Sequence, residues 1–284
     1  MNEKQGFKFF AVFLNMTWFA LFVLAPGLMV VGISFLTRDI STFFTWPLTL
    51  DHYRELVDPV YAKVLKNSLV YSFTTTLLCL GIGYPFAWFL SRAARHRRPL
   101  LLMMVIIPFW TSSLIRTYAL VILMKANGII NTVLAAAGLI TEPLSLLYTD
   151  LAVYVGLVYS LLPFMILPLY AVLEKMDIRL MEAARDLGAN SLQVFLHVVL
   201  PLSLPGVMAG CIMVFLPAMG LFYIPDLLGG AKTMLVGNFI KNQFLTAGNW
   251  PFGSAASVFL LLLMVLMLGI YFFISSRFNR SQVS

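Results

Sequence analysis

No charged residue stands between Lys8 and Arg38. An uncharged apolar run of that length constrains folding more than any other feature of the chain. In water it would need a core around it on every side. In a bilayer it needs only that its backbone hydrogen bonds be satisfied internally, which a helix does. The run is too long for a signal-peptide core and no small-residue cleavage site follows it, so it reads as a first span over about 11–35, bent near Pro26-Gly27. Five more runs of spanning length follow, at about 67–90, 100–123, 151–173, 201–223 and 255–275. Composition agrees: 61% apolar and 11% charged residues exclude an ordinary soluble domain. The expectation is an all-α integral membrane protein with six transmembrane helices in a single domain, 1–284.

Six spans leave both termini on one side, and the basic residues choose which. The short segment Arg92-Ala93-Ala94-Arg95-His96-Arg97-Arg98 is the clearest vote for the cytoplasm, because short loops rich in Lys and Arg stay inside. Lys4, Lys8, Lys175, Arg179, Arg185, Arg277 and Arg280 fall on the same side. Arg38, Arg54, Lys63, Lys66, Lys125, Lys232 and Lys241 fall outside, where seven acids balance them. The net charge of +7 therefore reflects topology, and no nucleic-acid partner is expected. The outer segments, about 36–66, 124–150 and 224–254, are the longer ones and suit docking of something outside.

Several chemical motifs fail. His52, His96 and His197 are scattered without metal-ligand spacing, and Cys79 and Cys211 sit in apolar runs where packing is their expected role. Gly229-Gly230-Ala231-Lys232-Thr233 lacks the upstream glycine of a phosphate loop. The chain is not expected to bind ATP by that route, so any energy source sits on another polypeptide.

The long polar interruption on the cytoplasmic side, Met181 to Pro201, has internal order. Met176, Leu180, Ala184 and Leu187 recur at helical spacing, and Glu182 and Arg185 are placed to pair. Gly188 should stop this helix in a left-handed turn. Asn190 and Gln193 read as the capping pair of a second helix, which Pro201 should bend or end. Glu182-Ala183-Ala184, Gly188, Val198 and Leu200-Pro201, at these spacings, resemble the EAA motif of ABC-importer permeases, with Val198 where isoleucine is usual. Beyond the loop, Gly83 to Leu90, Pro108-Phe109-Trp110-Thr111, Leu161 to Met165, Pro217 to Tyr223, Gly229 to Lys232 and Asn249 to Gly253 are similar to the permeases of bacterial spermidine/putrescine importers.

That resemblance implies a type I ABC-importer permease fold in the bacterial inner membrane, with both termini cytoplasmic. It implies a transport subunit rather than an enzyme. The partners would be a second, homologous permease, two copies of a cytoplasmic ABC ATPase that binds ATP and Mg, an external polyamine-binding protein, and membrane lipid. The coupling loop would span about 176–200, with Ala183, Ala184 and Leu187 in a groove of the ATPase, Glu182 at its rim, and Arg185 and Gly188 shaping the contact. A polyamine site should offer carboxylates and aromatic faces. The candidates are Trp110 and Tyr118 on the third span, recurring with Leu114 at helical spacing, and Tyr223 and Asp226 at the outer end of the fifth. Asp226 could instead neutralise the intramembrane Arg116. A permease for another small solute, an ion-coupled secondary carrier, a channel and a membrane scaffold are the other readings.

Overall fold

The structure is a computed structural model that describes residues 3–39, 43–230 and 233–281. Ala231 and Lys232 of the glycine-rich outer segment lie outside the described residues. Thirteen α-helices are present among those described, and six segments are long and apolar enough to cross a membrane. These are Val12–Ile33, Pro59–Arg92, Ser113–Ala136, Asp150–Leu173, Ser191–Gly220 and Trp250–Phe273.

The first span is α1 (Glu3–Phe19), a π-helical turn (Ala20–Leu24) and α2 (Ala25–Ile33) in unbroken succession. A short antiparallel ribbon, β1 (Leu36–Thr37) against β2 (Thr45–Leu48), and α3 (Asp51–Glu55) lead into α4 (Pro59–Arg92). Then come α5 (Arg98–Ile106), α6 (Ser113–Met124), α7 (Ile129–Ala136) and α8 (Asp150–Leu173). After α9 (Ile178–Asp186), the chain runs from α10 (Ser191–Val194) through a π turn (Phe195–Val199) into α11 (Leu200–Gly220). A further π turn (Pro225–Gly229), α12 (Val236–Leu245) and α13 (Trp250–Ser281) complete it.

Three spans depart from the sequence expectation, and proline explains each. A proline inside a helix removes one hydrogen bond and drives its ring at the carbonyl four residues back. Before Pro26 and before Pro201 the helix widens by one residue: Ala25 N–H bonds to Ala20 O, and Leu200 N–H to Phe195 O. Pro201 therefore does not end or begin a helix, and the fifth span starts ten residues earlier than expected, at Ser191. The third span breaks instead. Ile107–Trp110 is a 3-10 turn, Thr111 and Ser112 are extended, and the Thr111 hydroxyl donates to Pro108 O at 2.8 Å. The continuous helix expected over 100–123 is thus an apolar helix, Arg98–Trp110, followed by a new span from Ser113.

The chain divides into two compact units. In one (Met1–Lys63 with Phe239–Val265), Tyr61, Phe239 and Phe252 form an edge-to-face cluster, Ser34 and Tyr53 share a hydrogen bond, and Arg38 donates to Ala247 O. In the other (Val64–Asn238 with Leu266–Ser284), the core runs along α4, α8 and α11 and includes Cys79, Leu90, Leu157, Met165, Leu169, Leu173 and Val214. The helices α8 and α11 pack most extensively. Gly210 makes that approach possible: a Cβ there would stand 2.7 Å from Met165 Sδ and 3.2 Å from Met165 O. In lipid, where no hydrophobic force draws helices together, small residues that let backbones meet take over that role.

Candidate coupling site and membrane site

Asp177 opens α9, its side chain accepting from Arg179 N–H at 3.0 Å. The helix ends in a full Schellman arrangement. Ala189 N–H reaches Ala184 O at 3.1 Å, Gly188 N–H reaches Arg185 O at 2.8 Å, and Gly188 has φ +87°. Asn190 then caps the next helix in a reciprocal box with Gln193, both bonds 2.8 Å. The two helices are joined by four residues, Leu187 to Asn190, whose hydrogen bonds close the end of one helix and open the next.

One residue anchors this unit. Met181 is buried, and Arg92 Nη2 lies 3.7 Å from its sulfur while the Arg92 guanidinium covers the Trp88 ring at 4.6 Å. Nearby, Arg98 donates to Glu174 Oε1 at 3.1 Å and to Ala93 O at 2.9 Å, tying the arginine-rich turn to the end of α8. Met176 and Ala184 pack on the core as their spacing suggests, whereas Leu180 is half exposed and Leu187 is 90% exposed at the tip. Glu182, Ala183 and Arg185 are exposed too. The expected Glu182–Arg185 ion pair is not formed; the ion pair near this unit is Arg98–Glu174. Beside the tip lies a hollow of about 360 Å³ lined by Ala184, Leu187, Gly188, Gln193, His197 and Val198. Neither Arg92 nor Asp177 was read from the sequence as part of this unit. An Asp at the start of the helical repeat, immediately before Ile178, is an N-cap signal that could have revealed the second.

The proposed substrate-path residues are distributed differently. Trp110 ends the 3-10 turn and is 83% exposed, while Tyr118 is half exposed on α6. The break at Thr111 and Ser112 takes Trp110 off the helix that carries Leu114 and Tyr118, so the three do not form one helical line. Tyr223 packs on the core with its ring against Phe222, and Asp226 opens the turn Pro225–Gly229, against which α6 packs. Arg116 lies over the Phe109 ring at 4.8 Å and the Tyr159 ring at 5.7 Å. Its Nε and Nη1 are buried and have no hydrogen-bond partner among the described residues, so aromatic faces hold this cation where a carboxylate was considered. Among the described residues no three His, Cys, Asp or Glu side chains gather as a metal site.

A predominantly helical chain with six candidate spans and a capped helical pair that exposes Leu187 has the form of a membrane transport subunit. Residues 59–280 match the family described as binding-protein-dependent transport system inner membrane component, and the chain belongs to that family. It is a permease subunit of the ABC-importer kind and adopts the type I importer fold. It is similar to the spermidine/putrescine transport system permease protein PotB of Haemophilus influenzae, 52% identical over 99% of this chain and 97% of the relative. PotB of Escherichia coli is likewise 52% identical, over 93% of this chain and 96% of its own length. Among solved structures, a chain of a bacterial alginate ABC transporter in complex with alginate pentasaccharide-bound periplasmic protein matches with a TM-score of 0.78 at 17% identity, covering 96% of each chain. That likeness concerns the fold alone.

Proposed function

We propose that this chain is one of two homologous permeases of an importer that carries spermidine and putrescine inward across the bacterial inner membrane, powered by ATP. The observation that carries the substrate is the 52% identity, over nearly the whole of both chains, to a spermidine/putrescine permease. Two copies of a cytoplasmic ATPase hold ATP and Mg, and a periplasmic polyamine-binding protein delivers substrate. Both termini are cytoplasmic, on the side of the arginine-rich turn.

The capped pair α9–α10 supports the coupling role. Leu187 is an exposed apolar knob, and the hollow beside it, lined in part by Gln193 and His197, is a socket of mixed character. The Ala183 and Ala184 side chains are small enough for a partner backbone to come close. Because α10 continues through the π turn into α11, a displacement of the seated tip acts directly on a membrane-spanning helix. Closure of the ATPase dimer then shifts the permease between inward-open and outward-open states by differential contact with one of them.

The test is the purified complex in proteoliposomes. Loaded binding protein should stimulate ATP hydrolysis and drive labelled polyamine uptake. Uptake driven by an ion gradient without ATP would instead establish a secondary carrier, and stimulation by a different solute a different importer.

A further inference from the structure

A tyrosine stack and a carboxylate meet at the mouth of an apolar groove, at residues that the sequence does not single out for substrate. The groove, about 600 Å³, runs between α4 and α8 and is lined by Leu78 and Ile82 from the first and by Asp150, Tyr154, Val155 and Tyr159 from the second. Asp150 is its one carboxylate. Tyr154 lies one helical turn further along the same face, and its ring stacks on Tyr71 at 4.7 Å and 14°. The Tyr71 hydroxyl donates to Asp150 Oδ1 at 2.5 Å, and the Thr233 hydroxyl reaches the same oxygen at 3.4 Å. Oδ2 receives no hydrogen bond among the described residues. Asp150 stands at the start of α8, where the helix dipole favours the anion.

The other end of the groove has the opposite sign. Tyr159, about 13 Å along the helix at ~1.5 Å per residue, carries the Arg116 guanidinium at 5.7 Å. A ligand for such a groove has a cationic head for Asp150 and the tyrosine faces, a short aliphatic stretch beside them, and any further positive charge turned away from Arg116.

We propose that Asp150, Tyr154 and Tyr71 form a subsite for one primary ammonium group of the transported polyamine, with the adjoining methylenes lying along the groove. This rests on the polyamine reading above and deepens it: this chain binds one end of the substrate, and Arg116 sets which way it points. A carboxylate gives a charge-assisted hydrogen bond to the ammonium, and tyrosine faces attract the same cation. The remaining ammonium groups of the substrate are left to other surfaces of the importer.

The experiment measures equilibrium binding of labelled putrescine and spermidine to the assembled permease–ATPase complex in detergent, alongside uptake in proteoliposomes. Asp150→Asn should weaken binding of both polyamines at least tenfold, and Asp150→Glu by threefold or less, because both substrates present the same primary ammonium. Tyr154→Leu should weaken binding several-fold. Tyr71→Phe, which removes the hydroxyl and keeps the ring, should cost much less than Asp150→Asn. Equal losses in those two would assign Asp150 to tying α4 to the turn at 233 and overturn the proposal. So would Asp150→Asn binding within twofold of the unaltered protein, as expected if lipid or a partner helix fills the groove. If Asp150→Asn does not assemble, unchanged binding in Tyr154→Leu overturns it alone. Polyamine uptake that is insensitive to these changes sinks the subsite and leaves the proposed function standing. An unaltered complex that neither binds nor moves polyamine sinks both.

Discussion

At Gly188 the backbone takes φ +87°, and nothing lies within 4 Å of where a Cβ would stand. The residue is needed for its conformation and not for space. A β-branched side chain there costs roughly 1–2 kcal/mol of backbone strain, and the relaxed alternative rotates α10 away from α9. Asparagine tolerates the left-handed region far better. Gly188→Val should therefore reduce ATPase association and uptake, while Gly188→Asn should largely keep both. Pull-down of the ATPase with each variant and uptake in cells provide the measurement, and equal behaviour of the two would show that the turn is incidental. Arg116 teaches the converse about legibility. Its lone charge inside a span was visible in the sequence, and a partner was the correct inference. The partner's kind was not visible, because Phe109 stands on the far side of a helix break and Tyr159 on another helix.

At the scale of elements, periodic and local features were readable and long-range ones were not. The α9 stop at Gly188, the Asn190–Gln193 box and the fourth span within one residue of its start all depend on neighbours in sequence. The broken third span and the early start of the fifth depend on how a proline is accommodated, by a 3-10 break in one case and a π turn in the other. Asp150, Tyr71, Tyr154 and Thr233 meet through folding alone, and Asp150 in the sequence looks only like the boundary of a span. Two predictions belong here. Ala184→Asp places an unpaired carboxylate in the proposed ATPase contact, costing on the order of 2–5 kcal/mol of association. The variant should insert normally and fail to co-purify with the ATPase; intact co-purification would move the contact elsewhere. Gly210→Leu forces α11 from the Met165 backbone, overpacking the interface by about 1–3 kcal/mol. It should lower the thermal unfolding temperature of the purified complex, and an unchanged midpoint would show that α8 and α11 separate freely.

For the whole molecule, the fold is shared with a bacterial ABC transporter involved in the import of the acidic polysaccharide alginate, at 18% identity. With the cationic cargo proposed above, one architecture serves substrates of opposite charge, and substrate choice then resides in side chains and not in the scaffold. What the scaffold requires is an orientation, and the distribution of Lys and Arg supplies one. If the turn at 92–98 is cytoplasmic, the segment at 137–149 and the start of α13 face the periplasm. Ser145, Thr246 and Ala94 are all exposed, so single cysteines at these positions test that orientation. Thr49 is a poorer choice, since its hydroxyl bonds to Asp51. The buried Cys79 and half-buried Cys211 are first replaced by alanine to remove background. In intact cells with a permeable outer membrane, an impermeant thiol reagent should label Ser145→Cys and Thr246→Cys, and should label Ala94→Cys only after the inner membrane is opened. The reverse pattern would put α9 in the periplasm, out of reach of any cytoplasmic ATPase, and would overturn the coupling role of Leu187 and Gly188 together with the orientation.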